Sequence, residues 1–140
     1  MRRKRRITTG LPYKWKARLN LHGGKQKYGV NYWETYAPVI AWTTIRLFLI
    51  LAYMNHWATR QVDFVLAYPQ ADIECTMYME VPKGFEFKGS RTTHCLELKK
   101  NLYGQKQAGR VWNQYLHKGM LARGFLYRAG WTCVCIIAAR

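Results

Sequence analysis

The chain has 140 residues, 49% of them hydrophobic and 15% aromatic, and its 23 Lys and Arg outnumber 7 Asp and Glu to give a net charge of +16. That length suits one ordinary domain or part of a larger one. The apolar share excludes a disordered basic tail, and the charge calls for a polyanionic partner, of which nucleic acid is the commonest. A membrane span is excluded too: the longest uncharged apolar stretch, residues 47–59, is 13 residues long between Arg46 and Arg60, against the ~20 that a bilayer requires.

Residues 1–27 carry ten basic side chains and no acidic one. The first six, MRRKRR, suit phosphate contact, a nuclear address or simply a solvated terminus, and residues 1–12 are expected as a basic flexible arm. Over 13–21, Trp15, Ala17, Leu19 and Leu21 alternate with Lys14, Lys16, Arg18 and Asn20. This is the period of a half-buried strand, with Lys16 and Arg18 on one basic outer face. His22, Gly23 and Gly24 follow as a turn. After Pro38, Thr43 or Thr44 is placed to cap a helix that Ile45, Leu47, Phe48, Leu49, Leu51, Ala52 and Met54 make apolar nearly all round, so it is expected in the core.

Residues 59–66 have strand composition, with Pro69 ending regular structure soon after. Residues 77–81 read as a short strand stopped by Pro82, and a polar loop spans 83–93. Residues 94–98 form a further strand, with Cys95 and Glu97 facing opposite to Leu96 and Leu98. From about 107 to 122, Val111, Trp112, Tyr115, Leu116 and Met120 recur at three and four, the apolar face of a helix that Gly124 is placed to end. Residues 133–139 are apolar enough for a buried strand. Strands and helices in this mixture define an α+β protein with two main helices.

Cysteine and carboxylate usage narrows the chemistry. Cys75, Cys95, Cys133 and Cys135 form no Cys-x-x-Cys pair, and the four histidines fall at no zinc-finger spacing, so no structural zinc is expected. Reduced thiols, and a basic start not followed by an apolar run, suit an intracellular protein, cytoplasmic or nuclear. Asp63 and Asp72 are the only aspartates, beside five glutamates, so a carboxylate cluster has few members to draw on. Read alone, Asp63 between Val62 and Phe64 is more ordinarily an edge or turn residue than a ligand.

Three blocks carry a family resemblance: KARLNLHGGKQKYGVNYWETYAPV (16–39), TTIRLFLILAYMNHWATRQVDFVLAYPQADIECTMYMEVPKGFE (43–86) and LELKKNLYGQKQAGRVWNQYL (96–116). In order, spacing and wording they resemble the reverse transcriptase domain of copia-type LTR retrotransposons, an RNA-directed DNA polymerase, over roughly residues 13–127. The resemblance implies a fingers-and-palm fold with an antiparallel palm sheet, a template-primer of RNA or DNA, a deoxynucleoside triphosphate and Mg²⁺. Polymerisation is an in-line phosphoryl transfer in which two Mg²⁺ about 3.5–4 Å apart clamp the attacking and leaving oxygens. By resemblance, Asp63 is the first catalytic, metal-binding carboxylate. Tyr68 resembles the ring that excludes a sugar 2′-hydroxyl, or is a packed tyrosine. Lys16 and Arg18 resemble fingers residues that contact the triphosphate, or form a basic face touching template phosphates. Gly104, in Leu102-Tyr103-Gly104-Gln105-Lys106-Gln107, would let the backbone approach the nucleotide, or is a loop residue before a helix.

One departure matters. The family's other catalytic pair lies in a Tyr-x-Asp-Asp turn, whereas this sequence holds no Asp-Asp and no aspartate after Asp72. Residues 13–140 are therefore expected as a partial reverse transcriptase domain, fingers and the first half of the palm, that does not polymerise DNA alone. A palm sheet without that hairpin would have an open edge, the apolar helix after Thr43 would be incompletely covered, and the chain would be marginally stable. A non-enzymatic nucleic-acid-binding protein is the competing function, supported by Trp15, Tyr28, Tyr32 and Trp33 interleaved with lysines, a pattern suited to stacking on single strands. Oligomeric state is not legible.

Overall fold

The structure, a computed structural model, describes residues 2–5 and 10–125. The strand expected over 133–139 lies outside them. Within the described residues the architecture is α+β, with two separate two-stranded antiparallel sheets and two main helices.

Strand β1 (Arg2–Arg5) pairs with β2 (Pro12–Lys16), so part of the segment expected as an arm is a strand. Arg2 stands opposite Lys16, and Lys4 opposite Lys14. The strand expected over 13–21 stops at Lys16, because β1 offers no register partner beyond Arg2. Arg18 therefore does not share a strand face with Lys16. Asn20 bridges instead to Tyr103, and Leu21 N–H donates to the Tyr103 carbonyl at 2.8 Å. A single 3-10 turn over Gly23–Lys25 follows.

Helix α1 (Trp42–Met54) starts one residue before the expected caps: Ala41 is its N-cap, without a side-chain hydrogen bond, and Thr43 and Thr44 lie within the first turn. Its end is a Schellman motif. His56 takes the left-handed φ of 54°, Trp57 N–H donates to the Ala52 carbonyl at 2.8 Å and His56 N–H to that of Tyr53 at 3.2 Å. Burial departs from expectation. Ala52 alone is buried along α1, whereas Trp42 is 74% and Tyr53 85% exposed. Apolar composition favours a helix here, but among the described residues little covers its outer faces.

No strand forms over 59–66. A lone strand cannot satisfy its own N–H and C=O groups, and no described strand lies alongside this segment to pair with it. The chain turns at Leu66, with φ of 52°, into the short helix α2 (Ala67–Gln70). Pro69 does not end regular structure. It occupies the first turn of α2, where its missing N–H costs nothing. Gln70 Nε2 closes this turn on the Val65 carbonyl at 2.7 Å.

Strands β3 (Tyr78–Glu80) and β4 (Cys95–Glu97) pair as Tyr78↔Glu97, Met79↔Leu96 and Glu80↔Cys95. Leu98 N–H extends the ladder to the Met77 carbonyl at 2.8 Å. Met77, Val81 and Leu98 are buried while Tyr78, Glu80, Cys95 and Glu97 face water, the period-two alternation the sequence implies. Helix α3 (Ala108–Leu121) buries Ala108 and Val111 and packs against α2. Beyond its end, Gly124 has a φ of 81° and Phe125 N–H donates to the Met120 carbonyl at 3.2 Å.

The core is small and partly polar: Ala52, Ala71, Met77, Val81, Leu98, Ala108 and Val111 surround the buried amides Asn101, Gln105 and Gln107. Residues 101–107 are its hub. Asn101 Nδ2 donates to the carbonyls of Ala71 and Asp72 at 3.2 and 2.7 Å. At Gly104, φ is 91° and a Cβ would stand 2.1 Å from the Leu21 carbonyl oxygen. Gly104→Ala is thus expected to destabilise the chain by more than ~1 kcal/mol. The test is the urea unfolding midpoint, and an unchanged midpoint would contradict the close approach of these two segments.

Candidate nucleotide and nucleic-acid site

The residues singled out in the sequence come from distant segments, and one ring gathers two of them. The Arg18 guanidinium lies over the Tyr103 ring, 4.6 Å from its centroid. Tyr68 meets the same ring at 4.8 Å with an interplanar angle of 54°. The bridge between Asn20 and Tyr103 brings Arg18 to this position, and α2 presents Tyr68 in its first turn. A guanidinium over an aromatic face is held by the ring quadrupole, which spends none of its five N–H donors. Those donors remain available for an oxyanion.

Gly104 follows Tyr103 and abuts Leu21, while the Gly104 carbonyl oxygen lies 2.3 Å from where a Cβ on Gly23 would stand. Two glycines thus permit the backbones of 21–23 and 103–104 to touch. Lys16 is the last residue of β2. Tyr103 was not singled out in the sequence. Its signal was slight, an aromatic within the Leu102–Gln107 motif, because nothing local tells that its ring will meet residues 18 and 68.

Asp63 is exposed in an irregular segment and makes no hydrogen bond or ion pair with the described residues. Its neighbour Phe64 packs edge-on to Trp112 at 5.2 Å. Phe64, Trp112 and the last two turns of α3 line an open groove of about 630 Å³, with Lys118 and Arg123 among its walls. The other carboxylates are mostly spoken for. Glu80 pairs with Lys25, Glu97 with Lys99 and Asp72 with Lys100, all on the surface. Glu34 and Glu74 converge on Arg110, whose Nε lies 3.0 Å from Glu34 and whose Nη1 lies 2.8 Å from Glu74. Arg110 is the most enclosed of these cations, its side chain 22% exposed.

Among the described residues no three of His, Cys, Asp and Glu come together as a metal site. A hard divalent cation asks for several oxygen ligands, at least two of them carboxylates in a two-metal site. Asp63 offers one, without a neighbour. These residues therefore do not by themselves fit the divalent metal that a reverse transcriptase implies.

The profile of the family described as reverse transcriptase (RNA-dependent DNA polymerase) matches residues 3–130, and the chain belongs to that family. It is homologous to the Pol polyproteins of copia-type retrotransposons over most of its length. It is 37% identical over 121 residues to the retrovirus-related Pol polyprotein from transposon TNT 1-94 of Nicotiana tabacum, which covers 86% of this chain and 9% of the polyprotein. Against that from transposon RE1 of Arabidopsis thaliana it is 37% identical over 124 residues, 89% of this chain and 8% of the polyprotein. The Ty1-H Gag-Pol polyprotein of Saccharomyces cerevisiae is 30% identical over 107 residues, 72% of this chain and 6% of its own length. The chain thus spans less than a tenth of these curated relatives. No solved structure matches it. Among the described residues no helix is long and apolar enough to cross a membrane.

One thiol is electrostatically marked. Cys75 is half-buried and its Sγ–H donates to the Asn31 carbonyl at 3.2 Å. Burial, and then the charge of neighbouring Glu74, push its pKa above the ordinary thiol value. The thiol therefore stays protonated further into the alkaline range, and any stability tied to the protonated form is lost as pH rises through that raised value. Exposed Cys95 is expected to react with iodoacetamide well ahead of Cys75 at mildly alkaline pH, as read by peptide mass mapping of the native chain. Equal rates would refute the shielding of Cys75.

Proposed function

We propose that this chain supplies the nucleotide- and template-contacting part of a retrotransposon reverse transcriptase, and that these 140 residues do not extend a primer by themselves. The observation that carries the reading is the convergence of Arg18 and Tyr68 on Tyr103, because those two residues, from blocks fifty positions apart, were assigned to the nucleotide by family resemblance alone.

Each group's role follows from its chemistry. Arg18, seated on a ring, presents a planar fork of donors that matches triphosphate oxygens in bidentate fashion, with Lys16 adding a point charge. Tyr68, braced by Tyr103, is stiff enough to occupy the volume a 2′-hydroxyl would require, so ribonucleotides are rejected by clash rather than by a lost contact. Gly104 keeps the floor of this corner at backbone level. The net charge of +16 draws in the template-primer through its phosphates, largely without regard to sequence. Asp63, which meets no cation among the described residues, contributes one catalytic carboxylate to a set that these 140 residues do not complete.

The reading is tested with a labelled RNA–DNA template-primer. Binding is expected, with log affinity falling linearly in log salt. Arg18→Ala should weaken deoxynucleoside triphosphate binding by about tenfold or more, the loss of a charge-assisted contact. Primer extension in Mg²⁺ or Mn²⁺ should be absent. Synthesis that disappears in Asp63→Asn would sink the claim of incompleteness, and salt-insensitive or absent template-primer binding would sink the assignment itself.

A further inference from the structure

We propose that the turn spanning residues 25–33 is a stacking platform for unpaired bases of a single-stranded nucleic acid, with Tyr28 and Trp33 as the base-binding rings and Lys27 and Lys106 as the phosphate contacts. The inference rests on the reading that the partner is a nucleic acid, but it assigns a surface and a strandedness that the reading leaves open.

The rings are in water: Tyr28 is 71% and Trp33 55% exposed. Two exposed aromatics so close in sequence normally splay on a mobile loop, and ordering them on a ligand would consume the affinity gained. Here the loop is fastened at its feet. Gln26 Nε2 donates to Gln107 Oε1 at 2.9 Å, while Gln26 Oε1 accepts from Lys106 N–H at 2.7 Å. The Asn31 carbonyl accepts from Gln107 Nε2 at 3.3 Å and from the Cys75 thiol at 3.2 Å. Asn31 and Lys27 close the turn on each other, the Asn31 N–H donating to the Lys27 carbonyl and Lys27 N–H to Asn31 Oδ1. Tyr28 then leans edge-on against Tyr32, ring centroids 5.8 Å apart, and Tyr32 in turn carries the Lys106 ammonium, 4.6 Å above its ring and 3.0 Å from its hydroxyl. The result is a pre-set loop that carries the Tyr28 ring braced on Tyr32 and, next in the chain, the exposed Trp33.

Charge selects the partner. Lys27 and Lys106 pair with no acidic side chain among the described residues. Glu34, the one acid in 22–36, is turned to Arg110 at 3.0 Å, a guanidinium it shares with Glu74. An aromatic surface edged by Lys27 and Lys106, which meet no acid among the described residues, suits a chain of alternating bases and phosphates, and Lys25 at its edge is held by Glu80 at 3.6 Å. Duplex DNA hides its bases in the stack, so only an unpaired stretch can use the rings.

The test uses the whole chain, a labelled oligothymidylate, an abasic oligomer of equal length and an RNA–DNA duplex, with affinities read by fluorescence anisotropy across a salt series. The oligothymidylate is expected to bind about tenfold or more tighter than the abasic strand. Tyr28→Ala and Trp33→Ala should each erase most of that preference and leave abasic affinity, salt slope and thermal melt unchanged, with Trp33→Phe restoring it. Equal binding of oligothymidylate and abasic strand, with the duplex still bound, overturns the platform and leaves the polymerase reading standing. Variants that lose both oligomers alike make the rings structural and overturn it as well. Failure of the wild-type chain to bind any of the three overturns both.

Discussion

Gln107 is 1% exposed and yet polar at both ends of its amide, and the three parts of the described structure meet on it. Its oxygen takes a hydrogen bond from Gln26, its nitrogen gives one to the Asn31 carbonyl, and Met77 of the β3 segment lies against both glutamine nitrogens through its sulfur. A buried amide left without partners costs on the order of 1–3 kcal/mol, so the loop that carries Gln26 and Asn31 is held to the start of α3 by the penalty of letting go. With seven well-buried apolar side chains among the described residues, the core offers little else to fix residues 18–31 against the rest. Arg18 reaches Tyr103 because this attachment, and the Leu21–Tyr103 hydrogen bond beside it, place the two segments side by side.

Electrostatics add a second level of order. Five of the seven acidic side chains are engaged in ion pairs, leaving Asp63 and Glu86. Three of these pairs are exposed and contribute little to stability. The Glu34–Arg110–Glu74 group is different, since it ties the segment before α1, the segment before β3 and the first turn of α3 through one partly enclosed guanidinium. A chain so basic uses most of its anions to position its own elements, and Asp63 stands out as the aspartate with no ion pair among the described residues.

What could be read from residues alone was what short-range chemistry decides. The period-three-and-four recurrence of Val111, Trp112, Tyr115, Leu116 and Met120 placed α3 to within a residue or so, and the short strands read over 77–81 and 94–98 contain β3 and β4, the second with the faces its alternation implies. What failed needed a distant partner. Residues 59–66 have strand composition, but a strand exists only against another, and none is placed there. The helix α1 has a core helix's composition but not its burial, because burial depends on what lies opposite. Pro69 was read as a stop, although the first helical turn tolerates it. At the site, the chemistry of Arg18, Tyr68 and Asp63 was named from family wording, but the ring that brings the first two together at Tyr103 is a tertiary fact with almost no local signature.

The register of β1 on β2 carries a consequence of its own. The register sets Arg2 across from Lys16 and Lys4 across from Lys14, so four basic residues share one two-stranded ribbon. Whatever neutralises that ribbon and prefers the paired form is favoured by mass action, adding RT ln(1 + [L]/Kd) to its stability. A phosphate backbone laid along it would act as the missing counter-strand of charge. Pairing of the hairpin and its occupancy by such a polyanion would then rise and fall together.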